Sequence, residues 1–494
     1  MSSALLSVWD KTGLVELARA LVGHGFRLLS SGGTGAALAA AGIPFTEVSA
    51  YTGSPEMMGG RVKTLHPRIH GGLLGRRGID DAVMVEHGIE PIDLLIANLY
   101  PFETMRERGL PLADLVEFID IGGPAMIRAA AKNFRDVAVA VDPSQYPLIL
   151  AALGRGGFTD DERLALARAA FARTTAYDAA ISNHLHALDS GFPAVYTRQW
   201  TNGRPLRYGE NPHQPAAVYG DTGIAGAVPL QGREMSYNNY LDLDAAVRLV
   251  REFGECAAVV VKHNNPCGAA IGATPVEAYV TAREVDPVSA YGGVVALNRP
   301  VDCAVASEVA STFVEVLAAP DFSDEALAHL APRTNLRVVR TGPPAAGDEV
   351  RSIDGGLLVQ RTLAYAEEWR VVTKRAPTPD EEDALRFGLK VAAYTKSNAI
   401  VFANAHQALG IGGGQPNRVD AARIAVEKAR QPLAGSAVAS DAFLPFPDTL
   451  EVAAAAGATA LVQPGGSIRD GEVIEAADRL GIAMVFTGVR HFRH

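Results

Sequence analysis

Short apolar runs alternate with amphipathic helical patterns along most of the chain, and this alternation constrains the fold more than any other feature. Residues 93–98 (DLLIAN) and 137–141 (VAVAV) are continuous apolar runs, typical of parallel strands covered on both faces. Between them, residues 122–132 open with Gly-Gly-Pro and predict a helix, because proline is favoured in a first helical turn. Strands that alternate with helices predict an α/β fold.

The length of the chain predicts more than one domain. Its 494 residues exceed the ~250–300 residues at which a single hydrophobic core stops growing. The alternation breaks between residues 191 and 220, where several prolines interrupt a polar stretch. We therefore expect a domain of residues 1–197 followed by a larger domain of residues 198–494.

Charge and cysteine content narrow the class of protein. A formal net charge of −10 argues against a nucleic-acid partner, which requires a basic surface. The three cysteines are an odd number without a CxxC pair, which argues against a disulfide framework and favours a reducing compartment. No signal-peptide core or apolar run of ~20 residues is present, so we expect a cytoplasmic protein without a membrane partner.

Three segments of the first half are suited to an anionic ligand. They are residues 7–13, before a helix that begins near Leu14, the Ser-Gly-Gly-Thr-Gly segment 31–35, predicted as a loop, and residues 60–67 (GRVKTLHP). Small residues let backbone N–H groups approach a phosphate, and a following helix N-terminus adds partial positive charge. Each segment alone also fits an ordinary turn. The nucleotide-binding patterns GxxxxGK[ST] and strand-to-helix GxGxxG are missing.

The combination of motifs is more specific than any one of them. RVKTLHP (61–67), NLYPF (98–102), DIGG (120–123) and AAAKN (129–133) follow the Ser-Gly-Gly-Thr segment in that order. Together they resemble the IMP cyclohydrolase domain of the bifunctional AICAR formyltransferase/IMP cyclohydrolase family. The resemblance implies a parallel-sheet domain with the fold of methylglyoxal synthase.

The same resemblance implies the residues of a first active site. It assigns nucleotide contacts to Trp9, Asp10, Lys11, Ser31, Gly32, Gly33, Thr34, Arg61, Val62, Thr64, Ala97, Asn98 and Ile121. It assigns catalysis of ring closure to Lys63, Tyr100, Asp120 and Lys132. A carboxylate can take the proton of an amide nucleophile, and an ammonium or phenol can stabilise the oxyanion.

Asp120 and Lys132 raise a geometric condition. A helix over residues 124–132 is roughly 12 Å long, so the two side chains meet only if the chain before Pro124 folds back. Alternatively, Lys132 complements the dipole at the helix C-terminus.

In the second half, an apolar strand (257–261) runs into Lys262-His263-Asn264-Asn265-Pro266. Neighbouring strand residues point to opposite faces, so Lys262 and His263 can share a site only where the strand ends, as the following Asn-Asn-Pro predicts. The two side chains would form a base and electrophile pair. A solvated lysine and a histidine bonded to a loop fit this segment equally well.

Seven motifs of the second half again stand in a specific order. They are LRYGENPHQ (206–214), KHNNPCG (262–268), DPVSAYGG (286–293), TKSN (395–398), GGGQPNR (412–418), SDAFLPF (440–446) and RHFRH (490–494). This set resembles the AICAR formyltransferase domain of the same family and implies two cytidine-deaminase-like α/β units.

The second resemblance also implies site residues and partners. AICAR would contact Arg207, Tyr208, His213, Gly292, Glu315 and Arg490. Lys262, His263 and Asn398 would be catalytic, and Arg418, Phe443 and Asp448 would face 10-formyltetrahydrofolate. The family implies a homodimer without a metal or a tightly bound cofactor.

The two resemblances together predict the last two steps of IMP synthesis. Formyl transfer from 10-formyltetrahydrofolate to AICAR would give formyl-AICAR, and dehydrative ring closure would give IMP. One alternative is a non-catalytic sensor of purine nucleotides. Another is a metal-dependent deaminase, although zinc deaminases need H-x-E and P-C-x-x-C, which the segment around His263 and Cys267 does not provide.

Overall fold

The chain forms two compact units in the structure, which is a computed structural model. The structure describes residues 2–188, 191–362, 365 and 368–494. The units comprise Met1–Gln199 and Trp200–His494. None of the helices formed by the described residues is long and apolar enough to cross a bilayer.

The first unit is built around a five-stranded, wholly parallel sheet of order β3-β2-β1-β4-β5. Its strands are β1 (Ser3–Ser7), β2 (Arg27–Ser30), β3 (Thr46–Glu47), β4 (Leu94–Ala97) and β5 (Ala138–Ala140). Its helices are α1 (Leu14–Gly23), α2 (Gly32–Ala40), α3 (Val48–Thr52), α4 (Pro67–Leu74), α5 (Asp81–Glu86), α6 (Phe102–Glu107), α7 (Leu112–Leu115), α8 (Gly122–Lys132), α9 (Tyr146–Gly154) and α10 (Asp160–His186). Short 3-10 helices cover Met58–Gly60, Val116–Phe118 and Pro143–Gln145.

Both faces of this sheet are buried, which explains the continuous apolar runs. Leu5 and Leu95 face one core cluster, whereas Leu6 and Ile96 face the other. The strand order reverses between β1 and β4. In open parallel sheets, ligands bind beyond the carboxyl ends of the strands at such a reversal.

Helix α2 differs from the prediction, because the loop predicted at residues 31–35 is helical from Gly32 onward. The Thr34 hydroxyl donates to the carbonyl of Val8 at 2.9 Å and accepts its N–H at 3.0 Å. A Cβ on Gly35 would lie 3.0 Å from the ring of Phe45. These contacts override the low helical propensity of a glycine-rich segment.

The second unit contains two six-stranded sheets and two short hairpins. Its strands are β6 (Arg204–Leu206), β7 (Ala216–Val218), β8 (Val228–Gln231), β9 (Ala257–Lys262), β10 (Asn265–Ile271), β11 (Gly293–Leu297), β12 (Val314–Ala319), β13 (Arg337–Arg340), β14 (Asp348–Ile353), β15 (Gly356–Arg361), β16 (Arg370–Val371), β17 (Ile400–Ala403), β18 (Ala408–Gly412), β19 (Ala437–Ser440), β20 (Ala460–Gln463) and β21 (Ala483–Phe486). Its helices are α11 (Tyr237–Val250), α12 (Pro275–Val285), α13 (Pro287–Ala290), α14 (Cys303–Ala310), α15 (Asp324–Leu330), α16 (Pro379–Ala393), α17 (Arg418–Lys428), α18 (Asp448–Ala455) and α19 (Asp470–Leu480).

The two large sheets have the same topology. Their orders are β10-β9-β11-β12-β13-β8 and β18-β17-β19-β20-β21-β16. Each opens with an antiparallel hairpin, continues with three parallel strands and ends on an antiparallel strand. The second unit therefore consists of two similar α/β halves, and the predicted α/β fold is confirmed.

One shared core joins these halves. Buried residues of α11 and α16 form a single cluster with one face of each sheet. The other face of the first sheet packs on α12, α14 and α15, and that of the second sheet packs on α17, α18 and α19. Each of these two sheets is thus covered on both faces.

Candidate active sites

In the first unit, Asn98 ties together the ends of the two strands that flank the reversal in strand order. Its Oδ1 accepts the N–H groups of Trp9 and Asp10 at 2.5 and 2.9 Å. Its Nδ2 donates to the carbonyl of Asp10 at 2.9 Å. The loops after β1 and β4 therefore form one rigid rim at the position where a ligand is expected.

The N-terminus of α2 and the ammonium of Lys11 lie at the same rim. Lys11 Nζ donates to the carbonyls of Val8 and Trp9 at 3.3 and 3.0 Å. A Cβ on Gly33 would lie 3.7 Å from that nitrogen. First-turn N–H groups beside an ammonium form a site for an anion such as a phosphate.

Lys63 reaches this rim between two glycines. A Cβ on Gly32 would lie 3.1 Å from Lys63 Nζ, and one on Gly60 would lie 2.5 Å from its Cε. The ammonium pairs with the carboxylate of Glu56 at 3.2 Å. The glycines of both predicted anion-binding segments thus make room for one catalytic candidate.

Asp120 lies at the start of α8, where it accepts the N–H of Gly123 at 2.8 Å. Its own N–H donates to the hydroxyl of Tyr177 at 2.8 Å. Burial raises the pKa of the Asp120 carboxyl, although hydrogen bonds from the backbone of Gly123 and Tyr100 oppose the shift. A carboxylate with a raised pKa is suited to proton transfer.

Two further predicted residues lie close to these groups. The Tyr100 ring packs edge-on against Trp9, with 5.4 Å between the ring centroids. The hydroxyl of Thr64 would be 2.7 Å from a Cβ on Gly122, which places it at the N-terminus of α8. The sequence predicted a helix that opens at Gly122 but not that its N-terminus lies beside the first site.

Four further residues predicted for the first site lie on the loops and strand ends around it or pair with neighbouring residues. Arg61 forms an ion pair with Glu117. The backbone of Val62 pairs with Met57. Ala97 is the buried last residue of β4. Ile121 is 61% exposed and precedes α8.

Lys132 is not brought to Asp120 within one chain. It is exposed in the last turn of α8, whereas Asp120 lies before the first turn. Ten residues at about 1.5 Å each separate Gly122 from Lys132 by about 15 Å. The chain before Pro124 does not fold back along the helix, so the condition for a shared site in one chain is not met.

In the second unit, Lys262 and His263 lie at a tight hairpin between β9 and β10. Lys262 pairs with Asn265, and the two turn residues His263 and Asn264 have φ values of 51° and 63°. A two-residue loop with both φ values positive is a type I′ turn. The predicted end of the strand after Lys262 is confirmed, whereas the next strand, β10, which starts at Asn265 and contains Pro266, was not predicted. That proline is tolerated because β10 is an edge strand.

The Lys262 side chain points to the loop before β11. Its Nζ donates to the carbonyls of Gly292 and Tyr291 at 2.7 and 3.2 Å. The N–H of Gly292 in turn donates to the carbonyl of Phe313 at 2.7 Å. Phe313 lines a cavity that contains several predicted AICAR contacts.

This cavity of about 250 Å³ has a positive lining. The lining residues are Arg207, Tyr208, Arg233, Ser236, Asn239, Phe313, Glu315, Asn335 and Arg337. Three guanidinium groups face one carboxylate, so the cavity favours an anionic ligand. Glu315 Oε2 accepts from Asn239 Nδ2 at 2.9 Å and lies 3.9 Å from a guanidinium nitrogen of Arg337.

The sequence predicted only part of this lining. It missed Arg233, Asn239 and Arg337, which carry no motif and are brought together only by the fold. Three predicted contacts, His213, Gly292 and Arg490, are not among the described lining residues.

Arg490 and Arg418 lie on the same aromatic ring in the second half of this unit. Their guanidinium carbons are 4.4 and 5.9 Å from the ring centroid of Phe492. Arg418 also donates to Ser440 Oγ at 3.1 Å and to Asp441 at 3.0 Å. Asp441 is fully buried, so this ion pair fixes the guanidinium.

The other predicted residues of this half lie on neighbouring loops. Asn398 Nδ2 donates to the carbonyl of Gln415 at 2.8 Å. Phe443 is half-buried, and Asp448 is the exposed first residue of α18. The N–H of Lys396 donates to Asn265 Oδ1 at 3.0 Å, which joins the TKSN segment to the β9–β10 hairpin.

A zinc deaminase would need metal ligands in the segment around His263 and Cys267. Within residues 2–188, 191–362, 365 and 368–494, no group of three His, Cys, Asp or Glu side chains could hold a metal ion. The thiol of Cys267 donates to the carbonyl of Val260 at 3.5 Å. Burial raises the pKa of Cys267 to about 12, which keeps the sulfur protonated near neutral pH.

Two α/β units, each with its own candidate site for an anionic substrate, define a bifunctional enzyme. A family model described as "AICARFT/IMPCHase bienzyme" matches residues 130–428, more than half of the chain. An "MGS-like domain" model matches residues 13–125. The chain belongs to the AICARFT/IMPCHase bienzyme family.

Curated relatives match over nearly the whole chain. The "Bifunctional purine biosynthesis protein PurH" of Myxococcus xanthus is 54% identical and covers 99% of this chain and 100% of its own. The proteins of that name from Xanthomonas campestris and Anaeromyxobacter dehalogenans are 52% identical, each covering 99% of this chain and 98% and 99% of their own.

Family membership defines the activity. The chain is a transferase and a hydrolase of purine biosynthesis: it transfers a formyl group to AICAR from a formyl-folate co-substrate and closes the ring to IMP. Neither a sensor nor a deaminase is supported.

Proposed function

We propose that residues 1–197 carry the cyclohydrolase and residues 198–494 carry the formyltransferase. The observation that supports the second assignment best is the contact of Lys262 with Gly292, whose N–H donates to Phe313, a residue that lines the arginine-rich cavity. The first assignment rests on the rim formed by Asn98, Lys11, Lys63 and Asp120.

For formyl transfer, the 5-amino group of AICAR attacks the formyl carbon of 10-formyltetrahydrofolate. His263 takes the amine proton as the new C–N bond forms, because the ring and the carboxamide deactivate this amine. Lys262 stabilises the tetrahedral oxyanion or protonates N10 as the bond to the folate breaks. Asn398 supports the pair from the segment that Asn265 contacts.

For ring closure, the carboxamide nitrogen of formyl-AICAR attacks its own formyl carbon and water is lost. Asp120, whose pKa is raised by burial, takes the amide proton. Lys63 and Tyr100 stabilise the oxyanion and protonate the departing oxygen. Lys132 is the fourth proposed catalytic residue and rests on the resemblance alone.

The proposed binding residues divide into three groups. The formyl-AICAR and IMP group is Trp9, Asp10, Lys11, Ser31, Gly32, Gly33, Thr34, Arg61, Val62, Thr64, Ala97, Asn98 and Ile121. The AICAR group is Arg207, Tyr208, His213, Gly292, Glu315 and Arg490. The 10-formyltetrahydrofolate group is Arg418, Phe443 and Asp448. The cluster of positive charge in the cavity supports phosphate binding by the AICAR group.

We also propose a homodimer with the transformylase site at the subunit interface. In that case, specific formyl-transfer activity falls when dilution dissociates the chains, as measured by sedimentation and activity at the same concentrations. Full activity of a monomer would contradict the proposal.

The decisive experiment mixes the purified protein with AICAR and 10-formyltetrahydrofolate. We expect tetrahydrofolate and IMP to form together, which absorbance and chromatography detect. A protein that forms neither product would refute the proposed function.

A substitution at His263 separates the two activities. We expect His263→Ala to lower formyl transfer by roughly 10²–10⁴-fold, the range for a lost general base, while supplied formyl-AICAR is still cyclised. His329→Ala, a change at an exposed histidine on α15, is the matched control. Loss of both activities in a folded His263→Ala protein would argue against separate sites.

A further inference from the structure

Asp242 lies next to the hairpin that presents His263. This residue of α11 accepts the N–H of Asn264 at Oδ1, with a distance of 2.6 Å. The backbone N–H of His263 also lowers the pKa of the same carboxyl. One side chain thus interacts with both central residues of the turn and accepts a hydrogen bond from Asn264.

The turn needs such an acceptor. The ladder of a two-residue hairpin pairs the residues that flank the turn, here Lys262 and Asn265, and leaves the N–H groups of the two central residues without a ladder partner. Both central residues also adopt positive φ, which is uncommon for residues other than glycine. The Asp242 carboxylate supplies a hydrogen-bond partner from outside the hairpin for one of these N–H groups.

Helix α11 is a firm support for this contact. Leu243 and Ala246, close to Asp242 on the helix, are fully buried in the core that also contains Val261 of β9. Burial raises the pKa of Asp242, whereas the N–H of Asn264 and the charge of His263 act in the opposite direction. The carboxylate is thus placed by the core and oriented by the turn.

We propose that Asp242 is a positioning residue for formyl transfer, whose carboxylate fixes the turn conformation that aims His263 at the substrate. This inference rests on the proposed role of His263. It assigns no direct contact between Asp242 and either substrate. An imidazole displaced by even about 1 Å loses much of its catalytic effect, so the support matters for the rate.

The first test compares three full-length variants with the wild-type protein. We expect Asp242→Ala to lower kcat for formyl transfer by roughly 10–100-fold and Asp242→Asn, which keeps one acceptor oxygen, by less. The KM for AICAR and the cyclisation of supplied formyl-AICAR stay within about twofold, because binding groups and the first unit are untouched. Asp244→Asn is the matched control, since Asp244 lies on the same helix but pairs with Arg248 at 2.9 Å.

The second test asks whether Asp242 acts through the turn. Glycine adopts positive φ without strain and favours the second position of a type I′ turn. We therefore expect Asn264→Gly alone to leave kcat nearly unchanged. Added to Asp242→Ala, the same change should raise kcat at least threefold, on the order of the gain in turn preference. A general loss of folding would not be repaired by this change alone.

The outcomes separate this inference from the proposed function. If the wild-type protein forms neither tetrahydrofolate nor IMP from AICAR, the proposed function fails. If the wild type is active and both Asp242 variants match Asp244→Asn, only the inference about Asp242 is overturned. A lowered kcat that Asn264→Gly does not restore, or a loss confined to the KM for AICAR, also overturns it.

Discussion

At the scale of single residues, Asp120 combines two tasks that the sequence does not distinguish. It caps α8 through Gly123 and lies beside the rim that carries Lys63 and Tyr100. Burial raises the pKa of its carboxyl from the ordinary value of 3.8. The same desolvation that destabilises the carboxylate makes it a stronger base.

This pKa shift predicts the pH dependence of ring closure. A base must be deprotonated to act, so the cyclisation rate rises as pH increases through the raised pKa. We expect the acidic limb of the rate profile to lie above pH 3.8, the ordinary value for this carboxyl. Asp120→Asn removes most of the activity, by roughly 10²-fold or more for a lost general base.

The control for this profile is Asp114→Asn, a change at an exposed carboxylate of α7. It should keep both the rate and the acidic limb. An acidic limb that persists unchanged in the residual activity of Asp120→Asn would assign the proton transfer to another group.

At the scale of elements, the edge strand of each large sheet in the second unit meets the following helix at a glycine. A Cβ on Gly268 of β10 would lie 1.9 Å from the carbonyl oxygen of Ala282 in α12. A Cβ on Gly412 of β18 would lie 1.9 Å from the carbonyl oxygen of Ala421 in α17. The two halves therefore share a packing contact as well as a topology, and only glycine permits it.

This contact predicts a loss of stability on adding one methyl group. We expect Gly412→Ala to lower the free energy of unfolding by about 1–3 kcal/mol, since backbone must shift to make room. Urea unfolding followed by circular dichroism measures the change. The matched control is Gly471→Ala in α19, where a Cβ meets nothing within 4 Å. That change should be neutral or stabilise by up to about 1 kcal/mol.

A Gly412→Ala protein with an unchanged urea midpoint would show that β18 and α17 can separate without cost. A strongly destabilised Gly471→Ala protein would show that the environment of α19 differs from that described.

The elements differ in how well the sequence predicts them. The runs at 93–98, 137–141 and 257–261 are strands because their apolar residues alternate between two buried faces, a pattern that is local. The prediction of a loop at residues 31–35 was wrong, because contacts from Val8 and Phe45 outweigh the flexibility of three glycines and α2 starts at Gly32. The β9–β10 turn was missed, because Asp242 of a different element supports its unusual φ values.

At the scale of the whole molecule, the two proposed sites belong to different compact units. Lys63 and Asp120 lie in the first unit, and Lys262 and His263 lie in the second. Because each unit has its own sheet and core, substitutions in one site leave the fold of the other unit intact. We therefore expect that the two activities can be removed one at a time.

Separate sites predict complementation between two inactive variants. Lys63→Gln should convert AICAR to formyl-AICAR without further reaction, and His263→Ala should cyclise formyl-AICAR but form none. Neither variant alone makes IMP from AICAR, whereas their mixture does after a lag, as chromatography over time would show. Wild-type protein at the same total concentration is the control. A mixture that makes no IMP, although each variant keeps its own activity, would rule out exchange of a free intermediate.

The sequence by itself determined the α/β class, the strands at residues 93–98, 137–141 and 257–261, and the motifs that mark the family. Strand and helix periodicity depend on local burial, and a motif is a string of neighbours. Only the tertiary structure decided which of these residues share a site. It joins Arg233 and Arg337 to Arg207 in one cavity and separates Lys132 from Asp120 along α8. These pairings depend on long-range packing of sheets and helices, which fixes distances that no local pattern encodes.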